Sequence, residues 1–293
     1  GVEIAVLEVG HGARLDATNV LDPIAVAITA IDFDHQAYLG HTLQAIAREK
    51  AGVIKPGCLT VLAENPPAVR QIVEETCDRL SARLVYAPEG ATVVASSADG
   101  TTELSLRTPR RSYEAVRLSL RGRHQVDNAL TAIRLLEELT GPGGTPLPAE
   151  VIRTALKDVE WPARLELVPW KGHEILIDGA HNPGGVRALA LYVQETYGRK
   201  LPIVLGVMRD KEIDEMIRAF AGVASHFVFT APASSRAATP VDLARAAARV
   251  APDVPAVSYD TSSDALTHAT SLGQPVIVAG SLYLAGEIRA GIS

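Results

Sequence analysis

Five short apolar runs, Ile175–Ile177, Ile203–Val207, Phe227–Thr230, Ala256–Tyr259 and Val276–Ala279, alternate with stretches of amphipathic helical periodicity. Strands that are apolar on both faces must be covered on both faces. Strands joined through helices run parallel, so this pattern builds a doubly wound α/β sheet of Rossmann-like type. Ligands of such sheets sit beyond the carboxyl ends of the strands. Three of those ends carry polar, glycine-containing turns: Asp178-Gly179-Ala180-His181-Asn182-Pro183, Gly206-Val207-Met208-Arg209-Asp210-Lys211 and Gly280-Ser281-Leu282-Tyr283. In the first, Asp178 closes a strand, Asn182 suits an N-cap and Pro183 fits a first helical turn. The helix N–H groups would then face an anion or a ribose above the sheet. A plain strand-to-helix connection reads the hexapeptide equally well when it is taken alone.

The first half of the chain is organised differently. Glu3–Val9 reads as a buried parallel strand running into a loop, and Ala25–Ile31 as a second strand. Leu39, Leu43, Ile46 and Ala47 repeat at helical spacing, with Thr42 as cap and Gly52 and Pro56 closing the helix. Strand, helix and strand follow at Cys58–Ala63, Ala68–Ser81 and Leu84–Tyr86. The alternation from Ala91 to Leu120 predicts antiparallel hairpins added to an otherwise parallel sheet. A helix over Gln125–Leu139 is broken by Gly141-Pro142-Gly143-Gly144, and a short helix over Ala149–Leu156 leads to Trp161-Pro162. The domain boundary falls there, giving domains 1–161 and 162–293, which a chain of 293 residues accommodates.

Composition excludes several classes. A balance of 28 Lys+Arg against 34 Asp+Glu, with no basic run, offers no track of phosphate contacts for a nucleic acid. No apolar stretch approaches the roughly 18 residues of a membrane span. Cys58 and Cys77 make neither a disulfide framework nor a metal knuckle, which points to a reducing, cytoplasmic setting. The chain enters a strand-like run almost at once and without Met, so further residues are expected upstream.

Four local features bear on chemistry. Lys50 falls on the apolar face of its helix, four residues after Ile46 and seven after Leu43. A lysine there must be paired, neutral, covalently modified or snorkelling past Gly52 to water. Glu8 ends the first strand and His35 follows Asp34 at a second strand-like end; each is by itself an ordinary structural residue. At one rim, however, a carboxylate, an imidazole and a lysine carrying a carbamate would suit a hard cation such as Mg²⁺. Gly10-x-Gly12 lacks the third glycine of a dinucleotide fingerprint, and Asp16-Ala17-Thr18-Asn19 reads as a turn rather than a helix start. His124-Gln125 with Asn128 opens a helix, as a cap or as a nucleobase contact.

Taken in order, these segments resemble folylpolyglutamate synthase and dihydrofolate synthase, of the Mur ligase superfamily. The resemblance rests on Glu8-Val9-Gly10 with Arg14-Leu15-Asp16-Ala17-Thr18-Asn19, Asp34-His35 with Leu39-Gly40-x-Thr42, and Glu49-Lys50-Ala51-Gly52-Val53-Ile54-Lys55-Pro56-Gly57. It continues through His124-Gln125-x-x-Asn128-Ala129, Trp161-Pro162-Ala163-Arg164-Leu165-Glu166, Asp178–Pro183 and Gly280–Tyr283. It implies a partial central ATPase domain followed by a Rossmann-like glutamate ligase domain. The implied activity is ATP-dependent addition of L-glutamate to a folate, to dihydropteroate, or to both. The acceptor carboxylate takes the γ-phosphoryl group and the glutamate amine displaces phosphate from the acyl phosphate.

By the same resemblance Glu8 and His35 would hold Mg²⁺, as one or two ions, and Lys50 would carry CO₂ as a carbamate. Asn128, Arg164 and Asp178 would contact the nucleotide. His181, as a catalytic residue, would lie on the glutamate side with Ser281, and Asp210, Lys211 and Tyr283 would border glutamate as well. A monomer is implied. Two departures stand out: Ala13 where the family has a second glycine, and no G-x-x-x-x-G-K-[ST] phosphate loop anywhere in the chain. Without an upstream segment supplying that loop the chain is expected to be inactive. The alternatives are another Mur-type amino-acid ligase acting on a peptidoglycan precursor, or a non-catalytic nucleotide-binding fragment.

Overall fold

The computed structural model describes residues 2–10, 12–33, 40–98, 101–139 and 146–292. The chain divides into two compact units, residues 1–96, 103–118 and 124–158 in the first and 97–102, 119–123 and 159–293 in the second.

In the first unit β1 (Ala25–Ile28), β2 (Leu59–Leu62) and β3 (Arg83–Tyr86) form a parallel sheet in the order β1-β2-β3. The central strand β2 is buried throughout, and its two faces serve two cores. Leu62 joins Val26, Ile28, Ile46, Ala47, Val69 and Val73 beneath α1 (Leu43–Ala51) and α2 (Pro67–Leu80). Leu59 and Val61 join a second core with α3 (Arg123–Glu138) and α4 (Ala149–Asp158). Thr42 caps α1 as its sequence predicts, its hydroxyl accepting from Ala45 N. The strands β4 (Thr92–Ala98), β5 (Thr101–Arg107) and β6 (Ser112–Leu118) form a sheet of their own rather than extending β1–β3. Leu104, Leu106, Tyr113, Val116 and Leu118 bury that sheet against α3 and α4.

One expected strand is absent. Residues 3–9 form no ladder, and Ile4, Val6 and Leu7 are exposed. An apolar run becomes a buried strand only where neighbouring strands supply its backbone partners. Among the described residues none does so for this run. The turn expected at Asp16–Asn19 is instead a single 3₁₀ turn, Ala17–Val20, capped by Asp16.

A charge cluster ties this unit together. Glu138 accepts from Arg110 Nε and Nη2 at 2.7 and 2.6 Å and from Arg83 Nη1 at 2.6 Å. The Arg110 hydrogen bond, aided by Arg83 and opposed by burial, holds the Glu138 carboxyl at about 2. The folded value lies below the unfolded one, so this stabilisation is full above about pH 5 and is lost as pH falls towards 2. Both arginines are half-exposed, which reduces the expected contribution to about 1–2 kcal/mol. Glu138→Gln should therefore lose that much stability at pH 7 and show a flatter decline between pH 5 and 2 in urea titrations. Equal acid sensitivity of variant and parent would refute the assignment.

The second unit is the doubly wound sheet that its sequence predicts. Strands β8 (His173–Ile177), β9 (Leu201–Leu205), β10 (Ala224–Phe229), β11 (Ala256–Ser258) and β12 (Val276–Ala279) run parallel within the order β11-β10-β9-β12-β8-β7. Alternate side chains face two cores. Leu176, Ile203, Leu205, Phe227, Phe229 and Ile277 pack under α5 (Pro183–Tyr197), α6 (Ile213–Ala221) and α7 (Pro240–Val250). Ile177, Val204, Val228 and Val278 pack under α8 (Ser262–Leu272) and α9 (Leu282–Ile292).

The sequence pattern misses β7 (Glu166–Trp170), which pairs antiparallel with β8 from Glu166↔Ile177 to Trp170↔His173. Pro169 cannot donate to a ladder, so this run fits only an edge. Lys171 and Gly172, both at positive φ, make the tight connection to β8. Among the described residues no helix is long and apolar enough to cross a membrane.

Candidate functional site

The return of the chain as β12 between β8 and β9 makes the topological switch point, and backbone bonds knit the three strand ends there. Asp178 N donates to Val278 O at 2.9 Å, Gly206 N to Ala279 O at 3.2 Å, and Gly280 N to Ala180 O at 2.8 Å. Gly280 sits at φ +109°, and a Cβ on it would stand 2.6 Å from Gly206 O. Only glycine permits this approach.

Asp178 is buried at this rim. Its Oδ2 accepts from Leu165 N at 2.9 Å and its Oδ1 from Ala180 N at 2.8 Å. Burial pushes its carboxyl up, against the two N–H bonds and the charges of Arg164 and His181. One carboxylate thus joins the 163–165 loop to the start of the α5 connection. Asn182 caps α5, its Oδ1 accepting from Gly185 N at 2.8 Å, with Pro183 in the first turn.

Arg164 lies between Ala163 and Leu165, both at positive φ. Its guanidinium passes directly over Gly179, where a Cβ would stand 2.9 Å from Nη1 and 2.5 Å from Leu282 Cδ2. Arg164, Asp178 and Gly179 therefore form one local constellation, joined by the Gly179 N to Ala163 O bond at 2.8 Å. His181 Nδ1 lies 2.9 Å from Gly179 O. A carbonyl accepts only, so Nδ1 carries a proton.

The remaining predicted residues of this unit are more dispersed in role. Ser281 is buried and its hydroxyl accepts from Leu284 N at 3.1 Å, capping α9. Asp210 is paired with Arg236 at 3.2 Å. Partial burial pushes its carboxyl up, but the Arg236 bond and charge outweigh this and leave it lowered. Lys211 is half-buried after β9, and Tyr283 is exposed on the first turn of α9. Arg236 was not legible as a partner, because 26 residues separate it from Asp210.

In the first unit, His35 lies outside the described residues. Glu8 is exposed on the segment that forms no strand. Lys50 is half-buried at the end of α1, beside the buried Ile46 and Ala47. Among the described residues no three His, Cys, Asp or Glu side chains converge as a metal site.

Arg14 donates to Glu49 Oε1 at 2.9 Å, Asn19 Nδ2 to Gly52 O at 3.2 Å, and Lys55 Nζ to Asn19 O at 3.0 Å. These bonds bring the 14–19 and 49–55 motifs together. On α3, Asn128 Nδ2 donates to Gln125 Oε1 at 3.1 Å, and Gln125 Nε2 lies 3.1 Å from His124 Nε2. These three residues lie within the helix and bond to one another.

Residues 1–136 match the Mur ligase middle domain, and residues 163–282 match the Mur ligase glutamate ligase domain. The dihydrofolate synthase/folylpolyglutamate synthase of Bacillus subtilis (strain 168) is 31% identical over 294 residues, covering 98% of this chain and 67% of that protein. The chain belongs to the folylpolyglutamate synthase/dihydrofolate synthase family of Mur ligases. The family member from Mycobacterium tuberculosis (strain H37Rv) is 34% identical over 314 residues, 98% of this chain and 64% of that one. A solved structure of M. tuberculosis folylpolyglutamate synthase complexed with ADP has a TM-score of 0.92 at 32% identity, covering 100% of this chain and 68% of that one. The chain thus spans about two thirds of the length of these relatives. The match to the glutamate ligase domain begins at Ala163, one residue before Arg164, and ends at Leu282. It encloses the constellation of Arg164, Asp178 and Gly179 together with His181 and Ser281.

Proposed function

We propose that this chain supplies the nucleotide- and glutamate-handling parts of a monomeric, cytoplasmic ATP-dependent ligase that adds L-glutamate to a folate, to dihydropteroate, or to both. The observation that carries the reading is the Arg164–Asp178–Gly179 constellation at the switch point of a Mur-type glutamate ligase domain. Support also comes from the M. tuberculosis relative, whose structure is described as complexed with ADP.

In this reading Arg164 sets a guanidinium against the nucleotide phosphates, where charge accumulates during phosphoryl transfer. Asp178 spends two acceptor positions on the backbone and keeps lone pairs on both oxygens for a ribose hydroxyl. Asn128, on α3, is assigned to the nucleotide as well. His181 Nε2 accepts the proton that the glutamate amine must lose as it attacks the acyl phosphate. Ser281, Asp210, Lys211 and Tyr283 border the glutamate side, the hydroxyl of Ser281 retaining a proton to donate to a carboxylate.

Glu8 and His35 are assigned to Mg²⁺, which supplies charge neutralisation at the phosphates when bound. The test is glutamate-dependent ADP release by the intact protein, given ATP, Mg²⁺ and either dihydropteroate or tetrahydrofolate. Failure of both acceptors to support glutamate-dependent ADP release would refute the reading.

Lys50 is assigned a carbamate. The neutral amine is the form that captures CO₂, and Lys50 stands half-buried at the end of α1 beside Ile46 and Ala47. Lys50→Ala should lose at least about tenfold in turnover and regain part of it with added acetate, whose carboxylate replaces the lost one. A Lys50→Ala enzyme that loses activity and gains nothing from acetate would overturn the carbamate assignment.

A further inference from the structure

Glu166 belongs to the motif Trp161–Glu166 but takes no part in the chemistry above. Its carboxylate is nevertheless engaged on two sides. Oε2 accepts from Ala163 N at 2.9 Å, and Arg289 Nε, from the last turn of α9, donates to Oε1 at 3.0 Å and to Oε2 at 3.2 Å. The loop so held is unusual in its backbone. Ala163 and Leu165 sit at φ +56° and +48°, a region that side chains with a Cβ occupy only when their surroundings over-determine it.

Three further bonds enforce the same geometry. Gly179 N donates to Ala163 O at 2.8 Å, Leu165 N to Asp178 Oδ2 at 2.9 Å, and Arg121 Nη1 to Leu165 O at 3.2 Å. Two left-handed residues in a span of three turn the residue between them out of the chain direction, and that residue is Arg164. Its guanidinium is thereby laid over Gly179.

We propose that Glu166 and Arg289 are positioning residues that hold the Ala163–Leu165 loop so that the Arg164 guanidinium is fixed over Gly179 for the nucleotide phosphates. This rests on the reading that Arg164 contacts the nucleotide. Without the carboxylate, Ala163 N–H loses its acceptor, the loop is freed to relax from its left-handed backbone, and Arg164 leaves Gly179. Without Arg289 the carboxylate keeps its N–H bond but is free to rotate, so the effect is smaller. Arg289 is half-exposed and Glu166 one-quarter exposed, so the ion pair itself adds little to stability. The positional effect is therefore separable from a folding defect.

The experiment measures initial rates of the intact protein at varied ATP and varied glutamate for Glu166→Ala, Glu166→Gln, Arg289→Ala, Arg164→Ala and the Glu166→Ala/Arg164→Ala double variant. Glu166→Ala should raise the KM for ATP about tenfold, the scale of a small misplacement of a binding group, and leave that for glutamate within about twofold. Glu166→Gln, which retains an acceptor oxygen for Ala163 N–H, should recover part of the loss, and Arg289→Ala should fall between it and the parent. These two milder variants decide the matter if Glu166→Ala does not fold. In the Arg164→Ala background, Glu166→Ala should add nothing, because a residue acting through another has no effect once that other is gone. Additive losses, or an unchanged KM for ATP in Glu166→Ala beside a raised one in Arg164→Ala, would overturn the proposal. An unchanged KM for ATP in Arg164→Ala would overturn the underlying reading of Arg164, and the proposal with it.

Discussion

Replacing Asp178 by Ala is expected to destabilise the second unit by about 2–5 kcal/mol and to raise the KM for ATP far more than that for glutamate. The carboxylate is buried and both its oxygens accept backbone N–H groups, from Leu165 and Ala180. Truncation strands both donors in a site with little access to water. Asp178→Asn should be little better, since a carboxamide offers one acceptor oxygen and turns an NH₂ towards the second N–H, donor against donor. The kinetic part follows from the same bonds. The lost Leu165 bond loosens the loop that carries Arg164, and the acceptor proposed for the ribose disappears as well. Glutamate is assigned to the neighbouring ends of β9 and β12, which keep their own backbone bonds. Thermal unfolding with paired KM measurements decides it. A variant that unfolds at the parent's temperature, or that loses ATP and glutamate affinity equally, would show that Asp178 does not hold this loop.

Gly280→Ala should cost about 3–5 kcal/mol and abolish most activity. The backbone at φ +109° is one that residues with a Cβ rarely adopt, and the added methyl would lie 2.6 Å from Gly206 O. Its obstacle is backbone rather than a flexible side chain. Relief requires parting the ends of β9 and β12, and the bonds from Gly206 N to Ala279 O and from Gly280 N to Ala180 O part with them. Gly286, exposed on the same helix α9 with nothing within 4 Å of its would-be Cβ, is the control. Gly286→Ala should be neutral or stabilising by up to about 1 kcal/mol, because alanine is the better helix former. Urea unfolding of the two variants measures the contrast, and equal effects would remove the steric argument.

The sequence by itself determined the elements whose causes are local. Apolar runs too continuous for a half-exposed strand, separated by amphipathic periods, specified the doubly wound unit. The pairing of Asn182 with Pro183, and Thr42 ahead of its helix, marked two helix starts to within a residue. The polar strand ends named the rim.

The tertiary structure decided what depends on a distant partner. Glu3–Val9 has the composition of a buried strand but no described neighbour to pair with, while the proline-bearing run Glu166–Trp170 becomes a strand because β8 offers it an edge. Asp178 was legible as a rim residue, yet its two acceptor bonds are visible only once Leu165 and Ala180 are folded around it. Glu166 and Arg289 stand 123 residues apart and meet only because α9 returns to the edge on which β7 begins. Periodicity and capping are encoded within one or two turns of chain, whereas an ion pair across that span exists only after the whole sheet has closed between its partners.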